Sequence, residues 1–246
     1  MAKLVRKPSA LKTEFLSLKQ KLRKEVFALL IFIAIAVIGN LIMPSLYNVG
    51  LVMVGVSVLG FLITLIMITS TQNNIIIKGQ GVSGEDTSAE ALASMLDDSY
   101  TVFQNVVVEL EGKQSEIDLV VVGNNGIFAV EVKNRNGRIE GSFDTDRWFQ
   151  HKTGRGGGDY SSDFYSPVKQ VATHVFRLAG FLKKKDVRFF INGAVYFSNP
   201  EAVIRIEGEP DKIPVFSEAA DLVRYIKLGN NPLPLELKEK IIDLLK

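Results

Sequence analysis

Residues 116–133 read EIDLVVVGNNGIFAVEVK, and this stretch decides the fold of the C-terminal part of the chain. Both halves are rich in β-branched and apolar residues, which favour β-strands. Between them, Asn124-Asn125-Gly126 is a strong tight-turn signal. The stretch therefore predicts a β-hairpin with strands over residues 116–122 and 127–133.

The residues around this hairpin predict an α/β fold with a mixed sheet, because helical and strand-like segments alternate loosely. Further strands are expected over residues 102–110, 138–139, 147–150, 189–197 and 202–206. Residues 79–84 are expected to form a linker before a helix that begins near Ser83, and residues 154–163 a mobile loop rich in glycine and serine. Other helices are expected over residues 168–184, 217–227 and 235–245.

A long uncharged stretch precedes this domain. From Val26 to Ile77, 52 consecutive positions hold no Asp, Glu, Lys or Arg. Residues 26–43 and 50–69 are each about 27–30 Å long as helices, which matches the hydrocarbon core of a bilayer. The sequence therefore predicts a transmembrane helical hairpin in a lipid bilayer. A signal peptide and a buried hairpin of a soluble protein are the alternatives that the second span and the length of the stretch disfavour.

Charge predicts the orientation of the hairpin. Residues 1–25 contain eight basic and two acidic side chains. Basic residues flanking a span favour the cytoplasmic side, so the N-terminus and residues 78–246 are both expected in the cytoplasm at the cell membrane. The absence of cysteine fits a reducing compartment. The organisation expected is a basic arm (1–25), the hairpin (26–70) and a soluble domain (78–246).

The spans themselves do not indicate transport. They contain no ionisable residue, so they offer a polar pathway only if several copies form a homo-oligomer, which the sequence leaves open. The chain beyond residue 25 has 21 basic and 25 acidic residues, an overall balance that does not mark a nucleic-acid-binding domain. Locally, basic residues cluster after the hairpin strands and are either a phosphate-binding patch or a mixed solvated surface: Arg135, Arg138, Arg147, Lys152 and Arg155.

Three residues of the β-hairpin point to chemistry. Glu131 and Lys133 share one face of their strand, and pairing around the turn would bring Asp118 close to Glu131. Two adjacent carboxylates repel each other unless a cation lies between them, and oxygen ligands suit Mg²⁺. Such a metal can polarise a phosphodiester and activate water, with Lys133 stabilising developing charge. Charged residues alternating with valines are, however, also typical of an ordinary solvated strand face.

The order of these residues resembles a known nuclease pattern. Asp118 followed by Glu131-Val132-Lys133 resembles the Asp…Glu-x-Lys core of the PD-(D/E)xK nuclease superfamily. The longer order that runs from Gly84-Glu85 through the hairpin to Trp148 and Pro167-Val168-Lys169-Gln170 resembles a NERD, or nuclease-related, domain over roughly residues 80–185. The resemblance implies a restriction-endonuclease-like mixed sheet flanked by helices.

The resemblance also implies roles for individual residues. Asp118 and Glu131 would be ligands of Mg²⁺ or Mn²⁺, Lys133 the catalytic lysine, Glu85 the acid on a helix and Gln170 a polar helix residue near the site. The chain departs from the pattern at the position before Asp118, where Ile117 replaces proline. The activity implied is hydrolysis of DNA at the cytoplasmic face. The alternative is an inactive nuclease-fold module that binds nucleic acid or a protein partner at the membrane.

Several residues near this pattern have ordinary structural interpretations. Glu85 could simply favour a helix N-terminus, and Gln170 could be an exposed helical residue. Glu116 shares a strand face with Asp118 and is either a further ligand or a solvated residue. Trp148 is expected in the core. His151 and His174 lack the spacing of metal ligands and are expected at the surface.

Overall fold

The computed structural model covers all 246 residues and describes residues 1–153, 157–208 and 212–246. The chain divides into two compact units. One unit is Ala10–Gln80, and the other combines Met1–Ser9 with Gly81–Lys246.

The unit Ala10–Gln80 is a helical hairpin. Helix α1 covers Ala10–Ile42, and helix α2 begins at Tyr47 and ends at Met95. Both are long and apolar enough to cross a membrane, and only 11% and 17% of their most apolar windows are buried. Such exposed apolar surface is unlike that of core helices in a soluble domain. The two helices are therefore candidate membrane spans.

The helix expected to begin near Ser83 is instead the last part of α2. Residues 79–84 are helical, so the prediction of a linker there was wrong. Glycine costs only about 1 kcal/mol in a helix interior, and no proline occurs between Tyr47 and Met95 to stop the helix.

The second unit contains two sheets. Its strands are β1 (Lys3–Arg6), β2 (Thr101–Leu110), β3 (Lys113–Gly123), β4 (Gly126–Lys133), β5 (Gly137–Ser142), β6 (Arg147–Thr153), β7 (Asp159–Tyr165), β8 (Ile191–Phe197), β9 (Ala202–Glu207) and β10 (Val215–Phe216). Six of them form a mixed sheet in the order β1-β2-β3-β4-β8-β10, and four form a smaller sheet in the order β7-β6-β5-β9. The β3–β4 hairpin and the mixed character of the sheet confirm the sequence prediction.

Helices cover both faces of the six-stranded sheet. They are α3 (Pro167–Lys183), α4 (Ala219–Lys227) and α5 (Leu235–Leu244) together with the end of α2. Leu92 of α2 and Leu222 of α4 pack in one buried cluster with Val130. Leu178 of α3 and Ile241 of α5 pack in a second cluster with Ala129. Alternate residues of β4 thus pack into the cores on opposite faces of the sheet. This arrangement of helices on both faces confirms the α/β fold.

The smaller sheet has its own core around Trp148, which is fully buried as expected. The Trp148 ring stacks on Phe197 with centroids 6.3 Å apart. The loop expected over residues 154–163 was wrong for its second half, because Asp159–Tyr165 pairs with β6 as β7. Residues 154–156 lie outside the described part of the chain.

The N-terminal segment contributes a strand that the sequence analysis did not predict. Lys3–Arg6 forms β1, which pairs in parallel with β2 at the edge of the large sheet. Asn105 Nδ2 also donates a hydrogen bond to the Lys7 carbonyl oxygen at 3.1 Å. Four residues among many basic ones are too short for an alternation pattern to be recognised. The basic N-terminal residues are therefore partly built into the sheet.

Candidate active site

The register of the hairpin brings Asp118 to Glu131. The last paired residues of β3 and β4 are Leu119 and Val130, and continuing that register places Asp118 opposite Glu131. Where the ladder ends, the backbone N–H of Val132 donates to Asp118 Oδ2 at 2.8 Å. Asp118 thus takes the place of a strand carbonyl at the point where the two strands separate.

Asn105 of β2 lies next to Asp118 on the strand that pairs with the other edge of β3. The β2–β3 ladder skips the position where these two residues would face each other, and Asn105 has a φ of 58°, in the left-handed region. Phe103 and Val106 lie on either side of the gap, and both pack in the cluster under α3 and α5. Regular alternation would place these two side chains on opposite faces of the sheet. The left-handed residue therefore reverses the alternation of β2 next to the candidate site.

Glu131 is the centre of a hydrogen-bonded cluster and is only 2% exposed. Lys133 Nζ donates to Glu131 Oε1 at 2.5 Å and to Gln170 Oε1 at 3.0 Å. His174 Nε2 lies 3.1 Å from Glu131 Oε2. Gln170 and His174 are one turn apart on α3, which packs against this face of the sheet. The helix thus contacts both functional groups that β4 presents.

Burial and charge affect the two central carboxyl groups in opposite ways. Burial raises the pKa of Asp118 well above its usual value, and the negative charges of Glu131 and Glu85 add to the effect. Burial alone would also raise the pKa of Glu131, but the hydrogen bond from His174 and the charge and hydrogen bond of Lys133 outweigh it and lower that pKa. The two pKa values are therefore shifted in opposite directions, with that of Glu131 lowered and that of Asp118 raised.

Glu85 completes the acidic cluster from α2. Its pKa is raised from 4.5 to about 7 by burial first, and then by the negative charges of Glu116, Glu131 and Asp86. A Cβ atom at Gly84 would lie 2.5 Å from the Cβ atom of Asn134, so the close approach of α2 to the end of β4 requires glycine there. This approach sets Glu85 near the other acids.

Asp118 and Glu131 are the two residues of the cluster that could hold a metal ion. Lys133 is the positive charge that acts on Glu85, Asp118 and Glu131 alike, so the three carboxyl groups outnumber it. In the described part of the chain, no group of three or more His, Cys, Asp or Glu side chains is arranged as a metal cage. Mg²⁺ characteristically binds through one or two carboxylates and keeps several waters, so Asp118 and Glu131 fit it.

His174 is the site residue that the sequence analysis placed wrongly. It is 7% exposed, not at the surface, and it contacts Glu131. The surface position was predicted from the absence of metal-ligand spacing, and that spacing does not report whether a histidine is buried. Its position four residues after Gln170, on the same helix face, was a signal that could have indicated it. His151 is partly exposed, and its Nε2 lies 2.9 Å from Glu140 Oε2 in the smaller sheet.

The candidate phosphate-binding residues in the described part of the chain lie on and around the smaller sheet. Arg138 pairs with Glu140 at 3.2 Å, and Arg147 pairs with Asp163 at 2.5 Å.

Arg135 donates to Gln150 at 2.7 Å and lies 4.1 Å from the centre of the Phe164 ring. Lys152 lines a cavity of about 550 Å³ together with Arg138. Arg155 lies outside the described residues. Acids thus neutralise part of this patch.

A smaller cleft lies beside the acidic cluster. It has a volume of about 290 Å³ and is lined by uncharged residues from the end of α2 and from the ends of β4 and β8. Gly84 and Asn134 line it, and they adjoin Glu85 and Lys133 in the chain. Because β4 and β8 are parallel, this is the carboxyl edge of that pair, where open α/β sheets commonly bind ligands.

The acidic cluster and Lys133 thus lie at the end of the β3–β4 hairpin in a mixed α/β domain. Residues 80–198 match the family model described as Nuclease-related domain, NERD, and this part of the chain is such a domain, as its motifs predicted. An uncharacterized protein of Bacillus anthracis is 34% identical over 112 residues, which cover 45% of this chain and 50% of that protein. The chain thus spans about half the length of this curated relative. No solved structure matches the chain.

Proposed function

We propose that this chain is a membrane-anchored, metal-dependent nuclease that hydrolyses DNA phosphodiester bonds. The observation that supports this most directly is the cluster in which Glu131 accepts hydrogen bonds from Lys133 and His174 and lies opposite Asp118. The cluster lies within a nuclease-related domain. A strand pair that served only as a solvated surface would not bury Glu131 to 2% exposure.

Each residue of the cluster has a chemical role in this proposal. Asp118 and Glu131 hold Mg²⁺ or Mn²⁺, which when bound polarises the phosphodiester and lowers the pKa of a water. Lys133 places its ammonium group where negative charge develops on the phosphate, and Gln170 holds that ammonium group in position. Glu85, with a pKa of about 7, can hold or accept a proton at the edge of the site near neutral pH.

The two candidate spans supply the anchor. In the proposal, α1 and α2 cross the bilayer through residues 26–43 and 50–69, and both termini lie in the cytoplasm. The substrate is then DNA at the cytoplasmic face of the membrane. Arg138 and Lys152, which line the larger cavity of the smaller sheet, are the candidates for contacts with its backbone.

The test is a cleavage assay on the full chain in nanodiscs with supercoiled and linear DNA. Reactions with Mg²⁺, Mn²⁺ or EDTA are compared for the wild type, Glu131→Ala and Lys133→Ala, with Lys185→Ala as a surface control. The proposal expects metal-dependent cutting that is lost in both site variants and kept in the control. Cutting that persists in the site variants would indicate a contaminating nuclease.

A second candidate function is a non-catalytic module that binds nucleic acid or a protein partner at the membrane. The specific observation in its favour is that both oxygens of Glu131 and one oxygen of Asp118 already have protein hydrogen-bond partners. This candidate predicts DNA binding in EDTA that Asp118→Asn does not weaken, with no cutting under any condition. Metal-dependent cutting by the wild type would rule it out.

A further inference from the structure

The geometry points to His174 as a positioning residue that fixes the Glu131 carboxylate for metal binding and catalysis. This inference rests on the proposed nuclease function and adds to it a residue outside the Asp118, Glu131 and Lys133 pattern. The contact joins α3 to β4 across 43 residues of chain, with His174 Nε2 3.1 Å from Glu131 Oε2. Both side chains are buried, so the contact is shielded from solvent competition.

The other partner of Glu131 determines which way this hydrogen bond runs. Lys133 Nζ donates to the second carboxylate oxygen, and a carboxylate paired with an ammonium group only accepts hydrogen bonds. The proton of the contact therefore lies on His174 Nε2, which donates to Glu131 Oε2.

His174 has no competing structural hydrogen bond. Its second ring nitrogen, Nδ1, is buried and has no hydrogen-bond partner within the described residues. In the structure, the polar contact of the ring goes to Glu131.

Helix α3 thus holds two side chains of β4 at once. Gln170 accepts from Lys133, and one turn later His174 donates to Glu131. The Glu131 carboxylate contacts Lys133 at Oε1 and His174 at Oε2. These two contacts fix the plane of the carboxylate in the absence of a ligand. Partners that orient a metal-binding side chain in this way typically change metal affinity or activity by about 10- to 100-fold when they are removed.

The experiment measures Mn²⁺ binding and DNA cleavage by the full chain in nanodiscs. Mn²⁺ alone is titrated and its free fraction is read by electron paramagnetic resonance, while kcat and KM are measured on linear DNA. The variants are His174→Phe, which fills the site without a donor, and His174→Gln, whose side-chain N–H can reach the same carboxylate oxygen. Phe176→Ala, at a position 68% exposed on the same helix, is the matched control.

We expect His174→Phe to weaken Mn²⁺ binding and lower kcat by about 10- to 100-fold with little change in KM, and His174→Gln to restore most of both. Equal losses in both variants, or no loss in either, would overturn the role of His174. If His174→Phe unfolds, a His174→Gln variant that folds but loses Mn²⁺ binding would still overturn the role of His174. A wild type that neither binds Mn²⁺ nor cuts DNA would refute the proposed function itself, which separates that failure from this one.

Discussion

Lys133 Nζ lies 3.0 Å from Gln170 Oε1, although the two residues are 37 positions apart in the chain. The same ammonium group donates to Glu131, so one lysine joins its own strand to α3. The lysine is 21% exposed, which leaves it accessible from one side. A flexible side chain held in this way loses little further rotamer freedom when it meets a phosphate, as a preorganised catalytic group requires.

Removing the Gln170 side chain should therefore release Lys133. We expect Gln170→Leu to lower kcat for DNA cleavage by about 10- to 100-fold, because a misplacement of about 1 Å in a catalytic group can have an effect of that size. Steady-state kinetics of the full chain, with Phe176→Ala as the control, measures it. Unchanged kcat in Gln170→Leu would show that the contact has no part in catalysis.

Stability should depend on pH through Glu85. Its folded-state pKa of about 7 is above the usual 4.5, so between these values the folded chain binds more protons than the unfolded chain. Stability therefore falls as pH rises through this window. We expect the unfolding temperature of Glu85→Gln to equal that of the wild type at about pH 4 and to exceed it at about pH 8. Thermal unfolding in metal-free buffer measures the difference, and parallel profiles for the two proteins would contradict it.

The N-terminal strand should be required for a well-folded nuclease-related domain. Residues 81–246 alone lack the parallel pairing of β1 with β2, and their Asn105 side chain, which is 4% exposed in the full chain, has no Lys7 partner. An unpaired buried polar group costs about 1–3 kcal/mol. We expect a lower unfolding temperature for residues 81–246 alone, restored when residues 1–9 are fused to them through a flexible linker. Equal stability with and without residues 1–9 would show that β1 is dispensable.

The orientation of the spans can be tested by cysteine labelling, because the natural chain has no cysteine and gives no background. Ser45→Cys lies between the candidate spans, and Lys185→Cys lies beyond α3 in the nuclease-related domain. We expect a membrane-impermeant maleimide to label Ser45→Cys in intact cells and Lys185→Cys only after permeabilisation. The opposite pattern would place the domain outside the cytoplasm and refute DNA at the cytoplasmic face as the substrate.

Much of the fold was predictable because it follows from local patterns. The β3–β4 hairpin has dense β-branched strands and an Asn124-Asn125 turn followed by Gly126, and α3 has a clear apolar stripe, so both were predicted close to their observed bounds. By contrast, β1 is defined by its partner β2 and not by its own four residues. Residues 79–84 differ from the prediction because their glycines indicate a linker, whereas α2 tolerates glycine in its interior.

The residues of the candidate site also divide into those that a local pattern predicts and those that depend on tertiary packing. Asp118, Glu131 and Lys133 belong to a single hairpin, so strand alternation alone could bring them together. His174 depends on how α3 packs on the sheet, and its burial follows from that packing, although its helix face, shared with Gln170, was a partial signal in the sequence. The raised pKa of Glu85, on α2, likewise arises from burial and from the negative charges of Glu116 on β3 and Glu131 on β4.

The most direct test of the central claim is mass spectrometry of the DNA ends produced by the full chain in ¹⁸O-labelled water with Mg²⁺. Metal-assisted hydrolysis predicts one ¹⁸O atom in each new terminal phosphate, with the labelled product absent from Lys133→Ala and present in Lys185→Ala. Absence of labelled ends from the wild type, or equal labelling in Lys133→Ala, would contradict a hydrolytic site built on Asp118, Glu131 and Lys133.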